Sequence, residues 1–259
     1  RGSAFSLISA GGIVPLVTFV PLADFFLRKG WTFLYAWMVP LIALYALACG
    51  LRLPALDIPG KTEGEKRQGL FSLAKAPGIR TLLISSTVFS MTDACLLAIG
   101  GVAAERGLLP SLFLTANASV GLLVRVGGRR ILDMLPRRKM AAPAIAMTSL
   151  GLIGASFARG NLAYSLWGVF FGIAMGLGFP LHMALIGDVA EPHQRAQVSS
   201  LVWFLMGACF FIVPILLGSL AGILGTTGAF RAFTLLLLAF SPFVLVLWNP
   251  GYSFFRSHW

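Results

Sequence analysis

The chain has 259 residues, of which 58% are hydrophobic and only 11% are charged, and its formal net charge is +11. A composition this apolar excludes an ordinary soluble domain. Because most of the basic residues lie between long apolar stretches, we interpret the positive charge as a sign of membrane topology and predict no nucleic-acid partner. Cys49, Cys95 and Cys209 lie within apolar stretches without paired spacing, so we predict neither a disulfide framework nor a metal site.

About eight apolar stretches are long enough to cross a hydrocarbon core of about 30 Å, which takes about 20 helical residues. Because lipid offers the backbone no hydrogen-bond partners, such stretches must be helices. The sequence therefore predicts an all-α fold, a polytopic membrane bundle of about eight transmembrane helices. In chain order the predicted spans are Ser3–Phe26, Trp31–Gly50, Thr81–Ala104, Leu108–Val124, Met140–Ala158, Leu162–Val189, Val198–Leu224 and Ala229–Leu247.

The distribution of basic residues predicts the orientation of these spans. Of the 20 Lys and Arg residues, 15 fall on the side that carries both ends of the chain and 5 fall on the other side. Since cytoplasmic loops are enriched in positive residues, we expect a multi-pass protein of the plasma (inner) membrane, with both termini of this segment in the cytoplasm.

One long connection, at residues 52–80, separates two predicted spans from six. Its prolines and mixed charges indicate a loop, and its residues 69–75 suit a short amphipathic helix at the membrane interface. The chain begins with Arg1 instead of Met, and its first residues are typical of a loop that leads into a span. We therefore expect this start to be internal to a longer protein.

A weak parallel repeat relates the start of the chain to a later segment. Arg1–Ser6 and Arg195–Ser200 each open a span with a similar sequence, and Val20–Leu22 then matches Val213–Ile215 at a similar distance. Parallel repeats of this kind are typical of secondary transporters that consist of two halves.

A second pattern follows the fourth predicted span, where residues 121–130 read Gly-Leu-Leu-Val-Arg-Val-Gly-Gly-Arg-Arg. This segment resembles the motif G-x-L-x-D-R-x-G-R-R of the major facilitator superfamily. Arg125 and Val126 depart from it, since the family has an acidic and then a basic residue there. The matching residues are Gly121, Leu123, Gly128, Arg129 and Arg130.

The resemblance implies an architecture of twelve helices in two six-helix halves, which a long cytoplasmic loop joins. Residues 1–51 would then be the last two helices of an N-terminal half, 52–80 the central loop, and 81–259 the six-helix C-terminal half. The first four helices of the family would be absent. The resemblance also implies conformational gating by the loop at residues 121–130, although Arg125 replaces the acid of the family's charge relay. Positive charge on the cytoplasmic side is the alternative explanation of that loop.

The loop at residues 187–195 is placed like the cytoplasmic loop between the tenth and eleventh helices of the family. By this resemblance, Asp188 and Arg195 are candidates for a charge-pair gate between helices. Solvated loop charges are the alternative.

Asp93 is the clearest candidate for chemistry, because an ionisable group at membrane depth is costly. It lies about twelve residues into its span, near the midplane. An acid that gains and loses a proton there suits proton coupling or substrate binding, and a structural acid is the alternative. His182 suits a proton relay or a hydrogen-bonded core position. Thr115, Asn117 and Ser119 place polar groups in the middle of the fourth span, as a cavity lining or for an interhelical bond.

Two rows of glycines have the four-residue spacing that lets helix backbones approach closely. One row is Gly168, Gly172 and Gly176, and the other is Gly218 and Gly222. We predict that both rows are packing seams between helices of the bundle.

These patterns favour a secondary active transporter that moves a small-molecule substrate across the lipid bilayer by alternating access. We expect proton coupling, and the apolar lining with a single candidate acid favours efflux. The histidines do not cluster, which argues against an enzyme, and no cofactor is predicted. The alternative is a non-transporting sensor or scaffold derived from a truncated transporter. The partners that would complete the bundle are the missing N-terminal helices or another protomer.

Overall fold

The structure, a computed structural model, describes residues 69–128 and 136–249, together with Met134 and scattered positions between residues 17 and 48. Most of the first two predicted spans and most of the loop at residues 52–80 lie outside the described residues. Every element within 69–128 and 136–249 is helical, which confirms the all-α prediction. The elements are α1 (Leu70–Lys75), α2 (Pro77–Ala94), α3 (Ile99–Glu105), α4 (Pro110–Gly127), α5 (Arg137–Phe157), α6 (Asn161–Val189) and a final stretch, Arg195–Trp248.

The final stretch consists of two helices. Gly225 has φ 72° and ψ 164°, a backbone conformation outside the helical region that glycine adopts without strain. We call the parts on either side of it α7 (195–224) and α8 (226–248). Each of the last six predicted spans therefore coincides with helical structure, and α2 and α3 together form the first of these six.

A short 3₁₀ turn, Cys95–Ala98, separates α2 from α3 within that first span. The hydrogen bonds of a 3₁₀ turn have poorer geometry than those of an α-helix, and such a turn inside a helix often marks a hinge. The sequence did not indicate this interruption, since residues 81–104 are continuously suited to a helix.

Within the part of the chain that the structure describes, four helical stretches are long and apolar enough to cross a membrane by length and composition. They are Pro77–Glu105, Arg137–Phe157, Asn161–Val189 and Arg195–Trp248. Large apolar side chains such as Phe211 and Ile223 are 76% and 82% exposed, which in water would leave an extensive apolar surface. These features are compatible with a multi-pass membrane protein.

The helix α6 lies at the centre of the packing. The helices α4 and α5 pack against α6, while α7 and α8 pack against α2 and α5. A Cβ added at Gly168 or Gly172 would lie 2.7 Å from the carbonyl oxygen of Phe113 or 2.6 Å from that of Asn117. Since only glycine leaves room for these backbones, the first glycine row is a packing seam between α4 and α6.

The prediction for the second glycine row was wrong within the described residues. No described atom lies within 4 Å of the position where a Cβ would be added at Gly218 or Gly222. The buried residues of α7 form a narrow stripe on another face of the helix, which includes Val202, Val213 and Leu217. The two glycines therefore lie on the exposed side of α7.

Candidate functional site

The helix α2 carries a series of polar side chains into the interior of the bundle. Ser85, Ser86, Ser90 and Thr92 are at most 1% exposed, and Asp93 is half-buried. Ser86, Ser90 and Asp93 follow one another at spacings of four and three residues, so they share one face of the helix. The Oγ atom of Ser90 donates a hydrogen bond to the carbonyl oxygen of Met206 on α7, at 3.2 Å.

Asp93 lies deep in the span that α2 and α3 form. It is about 24 Å along the helix axis from Pro77 and about 18 Å from Glu105, at 1.5 Å per residue. Its carboxylate and the guanidinium of Arg125 are close enough for their opposite charges to attract each other. This attraction offsets part of the cost of holding an ionised acid at that depth.

Arg125 is 6% exposed and lies in the last turn of α4. Its guanidinium carbon is 5.0 Å from the centroid of the Phe179 ring on α6, a distance at which a cation is attracted to the face of the ring. The Phe179 ring in turn contacts Trp203 on α7 edge to face, at 5.9 Å. The site thus brings together one side chain each from α2, α4, α6 and α7.

Sequence reasoning missed that Arg125 lies within electrostatic range of Asp93. Arg125 was interpreted as a loop residue that departs from the family motif, whereas the structure places it inside α4, with its side chain buried. Because 31 residues separate Asp93 from Arg125 in sequence, no helical spacing connects them. The structure shows that α4 continues three residues past Val124, so that Arg125 belongs to the helix.

His182 occupies a fully buried and hydrogen-bonded position. Its Nδ1 lies 2.8 Å from the carbonyl oxygen of Gly178, which can only accept, so Nδ1 carries the proton and donates. Its Nε2 then accepts from the hydroxyl of Ser85 at 3.0 Å, and Phe89 stacks on the ring at a centroid distance of 4.5 Å. This geometry suits a structural histidine that joins α6 to α2, which is one of the two alternatives that the sequence left open.

The polar residues of α4 divide between two surroundings. Asn117 is 8% exposed, and its backbone forms part of the seam against Gly172. Thr115 and Ser119 are half-buried on the same helix. The structure therefore places Asn117 at the interface of α4 with α6, and a cavity lining by Thr115 and Ser119 stays a prediction.

The two candidates for a charge-pair gate, Asp188 and Arg195, make separate contacts in the structure, and a gating role for them stays a prediction. Asp188 pairs with Arg137 of α5 and not with Arg195, and both of its carboxylate oxygens are 3.0 Å from Nη1 of Arg137. Arg195 instead donates to the carbonyl oxygens of Gly187 and Ala190, at 3.3 Å each, and so caps the end of α6. The ion pair of Asp188 with Arg137 joins α6 to α5, two helices that are consecutive in the chain.

The predicted gating loop at residues 121–130 is helical over most of its length. Gly121 is a buried residue of α4, and Gly128 is the residue at which the helix ends. Arg129 and Arg130 lie outside the described residues. A gating role for these residues stays a prediction.

Among residues 69–128 and 136–249, no group of three or more His, Cys, Asp or Glu side chains is arranged to hold a metal ion. Cys95 and Cys209 are free and buried.

No protein-family model matches the chain, and no curated protein matches it in sequence. The resemblance to the major facilitator superfamily therefore rests on the residues of the chain itself.

Proposed function

We propose that this chain works in a secondary transporter of the major facilitator type, which moves a small solute by alternating access. In this proposal Asp93 binds and releases the coupling proton. The observation that carries the proposal is the half-buried carboxylate of Asp93, deep within a candidate membrane span and within electrostatic reach of the buried Arg125. Ionisable groups at this depth commonly belong to ion or proton pathways.

The helices that carry the two charges belong to differently packed groups. Arg125 and Phe179 lie on α4 and α6, which the glycine seam holds together. Asp93 lies on α2, which is joined to α7 through the bond from Ser90 to Met206. The attraction between Asp93 and Arg125 therefore acts between the α4–α6 pair and the α2–α7 pair.

Protonation of Asp93 removes its negative charge and, with it, the attraction to Arg125. A proton thus favours the arrangement in which the two helix pairs are apart, and its release favours the one in which they are together. The hydrogen bond between Ser85 and His182 joins α2 to α6 without a carboxylate. In the proposed mechanism, protonation of Asp93 leaves this hydrogen bond unchanged.

The test is transport by proteoliposomes that contain the chain as its native host makes it, after its intact mass has established its length. A pH-sensitive dye inside the vesicles reports proton movement when each of a panel of small solutes is added under an imposed pH gradient. We expect Asp93→Asn to reduce solute-dependent proton movement at least roughly tenfold, as loss of an essential proton carrier requires.

Glu191→Gln is the matched control, because Glu191 is an exposed acid at the end of α6. It should transport like the unmodified protein. Gradient-driven transport that is unchanged in Asp93→Asn removes Asp93 from the mechanism. The absence of any solute-dependent flux in the unmodified protein would favour the sensor or scaffold.

A further inference from the structure

Glu105 binds the start of a helix that is distant from it in sequence. Its Oε1 accepts a hydrogen bond from the backbone N–H of Thr226 at 2.9 Å. Its Oε2 accepts from the backbone N–H of Thr227 at 2.9 Å and from the hydroxyl of Thr227 at 2.6 Å. The break at Gly225 frees these N–H groups, and a carboxylate is well suited to bind them because the start of a helix carries partial positive charge.

A close contact between the same two elements accompanies these bonds. A Cβ added at Gly101, one turn before Glu105 on α3, would lie 3.1 Å from Cγ2 of Thr226. The short helix α3 therefore lies directly against the junction of α7 and α8. We call the end of the bundle where this contact occurs the Glu105 end, and the opposite end the Asp188 end.

Two arginines extend the connection at the Glu105 end to α5. Arg231 of α8 donates to the carbonyl oxygen of Ser156 at 2.6 Å, and Arg106 donates to the carbonyl oxygen of Ala158 at 2.7 Å and 3.2 Å. Both carbonyls belong to the end of α5. Polar contacts thus tie α3, α5 and α8 together at the Glu105 end, whereas the ion pair of Arg137 with Asp188 joins only α5 and α6 at the other.

The turn at Cys95–Ala98 interrupts the α-helical hydrogen bonding between α2 and α3. It lies between Asp93 and Glu105, and at Ala98 the backbone, with φ −95° and ψ −8°, stays in the right-handed helical region but departs from the ideal α-helical angles. Cys95, the first residue of the turn, is 0% exposed, and its Sγ donates to the carbonyl oxygen of Met91 at 3.2 Å. Any movement of α3 about this turn therefore alters the surroundings of Cys95.

We propose that Glu105 is a latch that closes the Glu105 end of the bundle by holding α3 against the start of α8, and that the latch opens about the turn at residues 95–98. The latch deepens the proposed function, since it assigns the closing contact at one end of the transporter. Glu105 is a positioning residue in this proposal and contacts no substrate.

The native cysteines provide a test that needs no substrate. In a Cys49→Ser background of the full chain in lipid nanodiscs, Cys95 reports opening at the turn. Cys209 is an internal reference, because it is 2% exposed on α7 and its Sγ contacts the carbonyl oxygen of Thr87. The measurement is the rate at which a maleimide labels each cysteine, resolved by mass spectrometry of peptides.

We expect Glu105→Ala to raise the labelling rate of Cys95 roughly tenfold and to leave that of Cys209 unchanged, because the variant removes charge-assisted hydrogen bonds that only the latched state makes. Thr227→Val, which removes one of the three bonds and keeps the shape of the side chain, should raise it less. Glu191→Ala, a change of an exposed acid at the Asp188 end, should have no effect.

Equal labelling of Cys95 in the unmodified protein and in both latch variants overturns the proposal. So does a parallel rise at Cys95 and Cys209, which would mean that Glu105 stabilises the whole bundle. Since labelling is independent of transport, the latch and the coupling role of Asp93 stand or fall separately.

Discussion

Two rows of glycines with the same four-residue spacing have opposite surroundings in this molecule. On α6, Gly168 and Gly172 lie against the backbone of α4. On α7, Gly218 and Gly222 have no described atom near the position of an added Cβ. Glycines four residues apart leave a shallow groove on the surface of a helix. The groove becomes a packing seam only where a partner helix lies against it.

The same contrast holds for the helices as a whole. In an apolar window of 18 residues, 72% of the residues of α6 are buried, whereas in such a window of the stretch that forms α7 and α8 only 28% are. In lipid there is little hydrophobic gain from bringing helices together, so close packing and interhelical hydrogen bonds hold them. We therefore expect the stability of the described bundle to depend mainly on α6 and its neighbours.

The largest effect should come from filling the seam. Gly172→Leu places a side chain where even a Cβ is 2.6 Å from the carbonyl oxygen of Asn117, so α4 and α6 must separate. We expect a loss of about 3 kcal/mol in the free energy of unfolding, since overpacking a tight interface typically costs 1–3 kcal/mol and sometimes more. Thermal unfolding in detergent, followed by intrinsic fluorescence, measures it.

Gly222→Leu is the matched control on α7. Because the position is open, we expect its midpoint of unfolding to stay within about 1 °C of the unmodified protein, which corresponds to about 0.5 kcal/mol or less for a chain of this size. Equal destabilisation by the two variants would mean that the exposed row is packed as tightly as the buried one, and the comparison would fail.

A smaller effect should follow from Ser85→Ala in the interior. This change leaves Nε2 of His182 without its hydrogen-bond donor at a fully buried position. We expect a loss of about 1 kcal/mol, the lower part of the range for an unsatisfied buried polar group, because interhelical bonds in membranes are weak on average. The midpoint of thermal unfolding should fall by about 2–4 °C.

Ser219→Ala on α7 is the counterpart of Ser85→Ala. The hydroxyl of Ser219 is exposed and donates to the carbonyl oxygen of Ile215 in its own helix, so it joins no two helices. We expect no measurable change in the midpoint of unfolding. A drop as large as that of Ser85→Ala would show that α7 is held by contacts beyond the described residues.

Much of the described fold follows from apolar length alone. The last six predicted spans coincide with helices because a stretch of about 20 apolar residues has few alternatives to a helix in lipid. The seam at Gly172 was also predictable, since glycines at this spacing favour close approach. The break at Gly225 also falls between the predicted spans Val198–Leu224 and Ala229–Leu247. The 3₁₀ turn at Cys95 was not predictable, because residues 81–104 are continuously suited to a helix.

The site was less predictable than the fold, since it depends on which helices lie side by side. Asp93 could be identified from the sequence as an acid at membrane depth. Arg125 could be identified only with the knowledge that α2 and α4 bring the two charges near each other. The partners of Glu105 lie 121 and 122 residues away in sequence, on a helix whose start no motif marks. The sequence indicated Asp188 as a gate candidate without a partner, and its pairing with Arg137 depends on how α5 and α6 lie side by side.

The smallest effect should come from Asp188→Asn. This variant tests whether close packing or charge holds α6 more tightly in the bundle than α7 and α8. The ion pair of Asp188 with Arg137 joins α5 to α6, but the two side chains are 29% and 17% exposed, so solvent and salt screen the attraction. We expect a loss of about 0.5 kcal/mol, as for other exposed pairs, and less than that in 0.5 M salt. The measurement is the midpoint of thermal unfolding at two salt concentrations. A loss comparable to that of Gly172→Leu would mean that charge and not close packing holds α6 to its neighbours, because the variant leaves every apolar contact of the seam in place.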